Sequence, residues 1–221
     1  MGLNCGCPGA ASLPDITIPE CKESLGQIQK VIFQRIFKED GSKNSVATPN
    51  TKTVMTTFLA AKDSTRMVVS PYLQNPTSEP GAARTFGGGN QTLGGIEIII
   101  GREPTAFTAV LYQEAQSVIK AMKALMCEKH LGVWLIDENG NIGALKGTVT
   151  GADNKETTAY LPIPIGKLFV GDKKLGGFEE PDSNVVEWNF FPNWSDDLVI
   201  LKQADSELEF DYNPLTDLVN A

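Results

Sequence analysis

The segment that decides the fold class is Gly132-Val-Trp-Leu-Ile-Asp-Glu-Asn-Gly-Asn-Ile-Gly-Ala-Leu145. Two apolar runs, residues 132–137 and 142–145, flank a polar turn that contains Asn139-Gly140. Asn-Gly between apolar runs is the strongest short-range signal for a β-hairpin, because both residues tolerate the positive φ angles of a tight turn. This part of the chain is therefore predicted to form a hairpin.

Short runs of β-branched and aromatic residues between turn residues predict further strands. They lie at residues 27–37, 66–70, 95–101, 157–161, 163–170, 185–191 and 198–202. Residues 54–61 fit either a strand or a short helix. Apolar and polar residues alternate only imperfectly in the first run, residues 27–37, which indicates that both faces of that strand are partly covered. The prediction is a mainly β (α+β) fold, a β-sandwich or barrel of about 8–10 strands.

One long amphipathic helix is predicted over residues 105–129. Its apolar side chains recur at spacings of three and four and form one stripe, made of Phe107, Val110, Leu111, Ala115, Val118, Ile119, Met122, Leu125 and Met126. Polar residues lie mostly on the opposite face. We expect the apolar stripe to close one open side of the β-structure.

The chain divides into a central domain and two terminal segments. Residues 1–26 carry Pro8, Pro14 and Pro19 without periodicity, which predicts an extended N-terminal arm. Residues 27–204 form the predicted β-sandwich plus helix domain, and residues 205–221 form an acidic C-terminal arm. Residues 74–95 are rich in glycine and poor in aliphatic residues, which predicts a long loop.

Composition excludes several classes of protein. The formal net charge is −8, and lysine and arginine form no basic stripe, so specific nucleic-acid binding is not expected. The sequence contains no stretch of 18 apolar residues, so no membrane span is expected. The N-terminus has neither the charged nor the apolar region of a secretory signal, so free thiols are expected rather than disulfides.

Candidate catalytic and metal-binding residues are few. The cysteines Cys5, Cys7, Cys21 and Cys127 and the single histidine, His130, include zinc-ligand types, but their spacing matches no common zinc motif. The glycine-rich segment 86–95 lacks the Gly-Lys-Ser/Thr ending of a phosphate-binding loop. No nucleophile–base pair is evident. We therefore expect no enzyme activity, no cofactor and no metal, with a Cys/His metal-binding protein as the more remote alternative.

The acidic and aromatic residues leave further alternatives. Asp137-Glu-Asn-Gly-Asn141 has the composition of a calcium loop without its spacing, so a polar hairpin tip is the preferred interpretation. Trp134, Trp188 and Trp194 could stack on sugars, although packing is the default role of tryptophan. The leading alternative function is therefore a carbohydrate- or host-surface-binding β-sandwich.

Four segments carry a resemblance to a known class of protein: residues 21–31, 119–127, 133–142 and 186–195. They are Cys21-Lys-Glu-Ser-Leu-Gly-Gln-Ile-Gln-Lys-Val31, Ile119-Lys-Ala-Met-Lys-Ala-Leu-Met-Cys127, Val133-Trp-Leu-Ile-Asp-Glu-Asn-Gly-Asn-Ile142 and Val186-Glu-Trp-Asn-Phe-Phe-Pro-Asn-Trp-Ser195. In the amino-acid sequence of these segments, and in the order of its predicted elements, the chain resembles tail-tube-like ring or collar proteins of crAss-like tailed phages that infect Bacteroidetes. The resemblance spans about residues 20–205.

The resemblance implies a non-enzymatic virion protein of the tail or neck, assembled in the host cytoplasm. Copies of the chain would form a closed ring, of 12 or 6 subunits if it matches a portal, with DNA passing through the lumen. Adjacent portal, ring or tail proteins would be the other partners, and no membrane is involved. Interface residues are expected in residues 1–26, 74–95 and 205–221, and the named candidates are Phe86, Gly88, Asn90, Trp188, Trp194 and Tyr212.

Overall fold

The computed structural model describes residue 16 and residues 24–150, 156–203 and 209–220. Within them lie twelve strands and three α-helices. The strands are β1 (Ile28–Arg35), β2 (Met67–Val69), β3 (Gln74–Glu79), β4 (Ala83–Phe86), β5 (Ile98–Arg102), β6 (Thr105–Tyr112), β7 (Leu131–Asp137), β8 (Ile142–Thr150), β9 (Glu156–Leu161), β10 (Ile163–Val170), β11 (Ser183–Phe190) and β12 (Leu198–Leu201). The helices are α1 (Lys52–Ala60), α2 (Gln116–Leu125) and α3 (Pro214–Asp217).

Ten of the described strands form one antiparallel sheet. Its main path runs β12-β8-β7-β10-β11-β6-β3; β1 pairs with both β2 and β7, and β9 pairs with β8. The remaining strands, β4 and β5, pair with each other as a separate two-stranded ribbon. The prediction of a mainly β fold is confirmed, as is the hairpin, whose strands are β7 and β8.

The centre of the sheet is the β1–β7 pair, which is covered on both faces. Every residue of β7 is buried. Side chains alternate between the two faces of a strand, so Val133 and Leu135 enter one core cluster while Trp134 and Ile136 enter another. The prediction that both faces of β1 are covered is confirmed, because Ile32 lies in the second cluster and its neighbours in the first.

The first core cluster lies between β1–β7 and the β6–β11 part of the sheet, with α2 at its margin. Its centre is aromatic: the rings of Phe107 and Trp188 stack with centroids 4.2 Å apart, and Phe190 and Phe33 meet Trp188 edge-on. Such pairs add about 0.5–1.5 kcal/mol each beyond the burial of their area. This packing fixes β6 and β11 over the central pair.

The second core cluster lies on the opposite face of β1–β7. Helix α1 contributes Met55 and Leu59, and the segment 209–220 contributes Tyr212, Leu215 and Leu218. The described part of the C-terminal segment therefore packs against the sheet. The boundary predicted at residue 205 stays a prediction, because residues 204–208 lie outside the described residues, as does nearly all of 1–26.

The prediction of one long helix over residues 105–129 is wrong. Residues 105–112 form strand β6, and the helix is limited to Gln116–Leu125. In β6 the buried positions are Phe107, Ala109 and Leu111, an alternation that the helical spacing concealed. Strand β6 pairs along its whole length with β11, from Ser183↔Tyr112 to Phe190↔Thr105, and this long-range pairing overrides the helical pattern.

The prediction of a loop over residues 74–95 is also wrong in part, because it contains β3 and β4. Nearly all residues of these strands are exposed. A strand that buries neither face has no alternation of apolar and polar residues, so its sequence carries no periodic signal. The remaining predicted strands are present with shifted ends, and residues 54–61 belong mainly to α1.

The turn between β7 and β8 is organised by one buried carboxylate. Asp137 accepts hydrogen bonds from the backbone N–H groups of Gly26 (3.0 Å), Asn139 (2.9 Å) and Asn141 (2.8 Å), and from the side-chain amide of Asn141 (2.8 Å). Gly140 supplies the positive φ of the turn, 79°. The carboxylate oxygens are thus occupied by N–H donors, which supports the hairpin-tip interpretation of residues 137–141 over a calcium loop.

We predict that Asp137→Asn destabilises the fold by about 2–4 kcal/mol. The side-chain NH2 group of asparagine would face N–H groups that now donate hydrogen bonds to the carboxylate of Asp137. Urea unfolding followed by tryptophan fluorescence measures this. The matched control is Glu138→Gln, at the exposed neighbouring carboxylate, with an expected change within about 0.5 kcal/mol. Equal stability of the two variants would contradict the role given to Asp137.

Candidate functional site

The candidate metal ligands are not brought together in the described part of the chain. Cys127 is a free, exposed cysteine just beyond α2, and His130 packs edge-on against Phe37 with ring centroids 5.6 Å apart. Within the described residues, no group of three or more His, Cys, Asp or Glu side chains could hold a metal ion. Cys5, Cys7 and Cys21 lie outside the described residues.

Two of the predicted interface residues are corrected by their burial. Trp188 is 1% exposed in the first core cluster, and Tyr212 is 6% exposed in the second. Tyr212 donates its hydroxyl to the carbonyl of Pro49 at 2.6 Å, and burial raises its pKa well above the ordinary value. Neither ring can contact another subunit, since folding of this chain already covers it.

Two of the three tryptophans are too deeply buried to stack on a sugar. Trp134 is fully buried and donates its indole N–H to Gln34 Oε1 at 3.0 Å. Trp194 is partly buried and stacks on Phe190, with centroids 4.4 Å apart. With Trp188 also buried, two of the three candidate rings are core residues. The sugar-stacking interpretation of Trp134 and Trp188 is therefore wrong.

The most unusual surface of the described chain is the β4–β5 ribbon with its tip, residues 83–102, which we call the apolar ribbon. It carries six large apolar side chains that are each 52–100% exposed: Phe86, Leu93, Ile96, Ile98, Ile99 and Ile100. Successive residues of a strand face opposite sides, so Ile98, Ile99 and Ile100 expose apolar surface on both faces. Large exposed apolar surfaces on soluble proteins are commonly used for interactions.

The apolar ribbon is anchored only at its base among the described residues. Strands β3 and β6 pair up to Glu79↔Ala106, and the ribbon then pairs from Ala83↔Arg102 to Phe86↔Ile98. At the base, Arg102 donates to Asn193 Oδ1 at 2.7 Å. Gly81 is required here, because a Cβ atom at this position would overlap the carbonyl group of Glu103.

The tip of the apolar ribbon has a defined backbone shape. Gly87 and Gly88 adopt φ angles of 98° and 104°, which only glycine accepts readily. The hydroxyl of Thr92 accepts from the N–H of Gly88 at 3.2 Å and donates to the carbonyl of Ile96 at 2.6 Å. The predicted interface residues Phe86, Gly88 and Asn90 all lie here, and their role in an interface stays a prediction.

The apolar ribbon has little stabilisation of its own within the described chain. An isolated two-stranded ribbon is at best marginally stable in water, and its outer strand edges offer unpaired N–H and C=O groups. Fully burying one large apolar side chain yields about 1.5–3 kcal/mol. A partner surface that covered several of the six side chains would therefore gain enough free energy to bind and to order the ribbon.

The sequence identified the run Ile98-Ile99-Ile100 as a strand but not as a surface. An unbroken β-branched run usually belongs to a strand buried on both faces, as β7 is. The signal that separates the two cases is the flanking sequence. Glycines lie on both sides of the segment that contains the run, at 94–95 and at 101, and confine its apolar residues to this short segment.

Three of the ionisable groups with displaced pKa values are carboxylates that pair with basic side chains and line two surface pockets. Carboxylates that accept hydrogen bonds from basic side chains have lowered pKa values, because the bond and the positive charge favour the ionised form. They are Glu128 (with Arg35), Asp172 (with Lys123) and Glu180 (with Lys174). These shifts are accounted for by ion pairing.

No protein-family model matches the sequence, and no curated protein is significantly similar to it. Among the described helices, none has the length and apolar character needed to cross a membrane.

We predict a pH-dependent contribution from the Arg35–Glu128 pair, whose atoms Nη2 and Oε1 are 2.8 Å apart. The pKa of Glu128 is lowered below its ordinary value of 4.5 in the folded state. Its stabilising effect is therefore complete above the unfolded-state pKa and is lost as pH falls through the folded-state pKa. The stability difference between wild type and Glu128→Gln should shrink steadily below about pH 4.5.

Chemical denaturation of both proteins between about pH 7 and pH 3 measures this difference. Glu138→Gln serves as the control, since Glu138 is exposed and forms no ion pair within the described residues. A difference for Glu128→Gln that stays constant across this range would show that the pair does not stabilise the fold.

Proposed function

We propose that this chain is a structural subunit that assembles with copies of itself through the apolar ribbon. The observation that carries the proposal is the set of six exposed large apolar side chains on a two-stranded ribbon that extends from the sheet. A chain that worked alone would keep this surface in water at a cost in solubility. Assembly would remove that cost and stabilise the ribbon at the same time.

The proposed assembly is a closed ring. The apolar ribbon is a protrusion, and a protrusion is best covered by a differently shaped surface on the next subunit. A contact between two different patches is heterologous, and repeated heterologous contacts close into a ring when the rotation between subunits permits. In this proposal the antiparallel sheet forms a β-sandwich, with the β6–β11 part packed over the β1–β7 pair.

The proposed ring belongs to the tail or neck of a tailed phage, as a collar or tail-tube-like protein around the DNA channel, and the sequence resemblance supports this part of the proposal. The net charge of −8 supports this assignment, because an acidic surface does not retain the phosphate backbone of DNA that passes through it. A ring of 12 or 6 subunits would match a portal. The proposed partners are other copies of the chain and the adjacent portal, ring or tail proteins, joined in the host cytoplasm during assembly of the virion.

The two alternatives receive less support. A carbohydrate- or host-surface-binding module would need accessible aromatic rings, and Trp134 and Trp188 are in the core. A Cys/His metal-binding protein would need converging ligands, and Cys127 and His130 belong to no such group within the described residues. A structural, non-enzymatic role is the function that we propose.

We predict that replacing Ile98, Ile99 and Ile100 together by threonine disrupts assembly while the fold survives. Threonine keeps the β-branched shape but loses apolar surface, at a cost of about 1 kcal/mol per side chain buried in an interface. The total corresponds to subunit binding that is weaker by about 100-fold. Mass photometry and light scattering over a concentration series measure the assembly, and thermal unfolding checks the fold.

The matched control is Phe178→Ser, which removes an exposed aromatic ring from the β10–β11 loop, outside the apolar ribbon. This variant should assemble like the wild type. Wild-type protein that stays monomeric at every concentration would contradict the proposal, and so would a threonine variant that assembles as tightly as the wild type.

A further inference from the structure

A second apolar surface lies between α2, β2 and the end of the C-terminal segment. It is a groove of about 650 Å³. Its apolar lining comes from all three elements: Val68, Val118, Met122, Leu125, Leu218 and Val219. We call it the α2 groove. Its apolar lining suits aliphatic side chains on an incoming strand.

The charged residues that line the α2 groove are two cations, Lys30 and Arg66, and one carboxylate, Glu114. Lys30 lies in its lining, where its Nζ donates to the carbonyl of Leu215 at 2.7 Å and stands 4.2 Å from the centre of the Tyr72 ring. Arg66 also lines the groove, is exposed, and forms no ion pair with any described residue. The guanidinium group of Arg66 is therefore available to a carboxylate on an incoming segment.

The apolar ribbon carries the complementary pattern. Glu97 lies between Ile96 and Ile98, all three are exposed, and Glu97 forms no ion pair with the described part of the chain. Alternation along the residues that lead into β5 places Glu97 on the same face as Ile99 and opposite Ile96 and Ile98. That face combines a carboxylate with an aliphatic side chain, and it matches a groove that offers aliphatic walls and one free guanidinium group. Opposite charges of this kind orient and register an interface.

The ribbon and the groove lie at opposite ends of the β3–β6 ladder. Tyr72, in the groove, comes just before β3, and Glu114, also in the groove, comes just after β6. The ribbon begins beyond the other end of the same ladder, past Glu79↔Ala106. At about 3.3 Å per residue, the chain between Ile98 and Tyr112 spans up to roughly 46 Å. The ribbon of one chain therefore leaves the ladder at the end opposite to its own groove.

We propose that the apolar ribbon of one copy docks in the α2 groove of the next copy, with Glu97 paired to Arg66. This proposal rests on the proposed self-assembly and names the surface that receives the ribbon. Because the two surfaces are different and lie at opposite ends of the β3–β6 ladder, the contact is heterologous: each subunit inserts its own ribbon into one neighbour and receives the ribbon of another. The bound ribbon gains apolar cover, and the groove is filled.

A charge exchange tests the pairing in the full-length chain. Glu97→Arg and Arg66→Glu should each weaken assembly by roughly tenfold or more, because each places like charges at the contact. The double variant Glu97→Arg/Arg66→Glu should assemble within about threefold of the wild type, since the attraction is restored with its sign reversed. Mass photometry gives the binding constants, and thermal unfolding of the dilute proteins confirms that each variant is folded.

The matched control combines Glu97→Arg with Lys62→Glu. Lys62 is an exposed cation close to Arg66 in the chain but does not line the α2 groove. This pair should not rescue assembly. If the Glu97/Arg66 exchange fails to rescue while the threonine variant of the ribbon still loses assembly, another surface receives the ribbon: the docking proposal is overturned and self-assembly stands. If the threonine variant assembles normally, self-assembly through the ribbon itself is refuted.

Discussion

The structure depends on the burial of the β1–β7 pair on both faces. Each residue of β7 is enclosed, so the strand must carry apolar side chains to both sides, and each side needs its own cover. Strands β6 and β11 with α2 cover one face, while α1 and residues 209–220 cover the other. Asp137 ends the strand, and its four hydrogen bonds join the turn to the chain entering β1. The elements around the pair are thereby held in fixed positions.

The apolar ribbon presents the opposite situation in the same molecule. Its strands are as apolar as those of the core in the segment 98–100, but they lie beyond the end of the β3–β6 ladder, and within the described residues no other element covers them. A rigid body with one uncovered apolar extension is suited to assembly, because little of the binding free energy is then needed to order the rest of the chain. The α2 groove, at the other end of the ladder, gives this extension a place to bind.

The features that sequence predicted well are those with a local cause. The β7–β8 hairpin follows from Asn139-Gly140 between apolar runs, and the double cover of β1 follows from its imperfect alternation. The helix over residues 105–129 failed because Phe107 and Leu111 fit a period of four as well as a period of two, and the partner that decides the matter, β11, lies about seventy residues further along the chain. Strands β3 and β4 were missed because strands exposed on both faces show no alternation of apolar and polar residues.

Among the predicted interface residues, Phe86, Gly88 and Asn90 were correctly placed on an exposed element. The burial of Trp188 and Tyr212 depends on tertiary packing that no local pattern reveals.

The proposed assembly requires that the apolar ribbon becomes covered when copies of the chain associate. Hydrogen–deuterium exchange of the wild-type protein, compared between dilute monomer and concentrated assembly, measures this cover at the amides of the ribbon. We expect the amides of residues 96–102 to exchange much faster than those of β7 in the monomer and to become protected in the assembly, while those of β7 remain protected in both states. Equal exchange of residues 96–102 in the two states would contradict it.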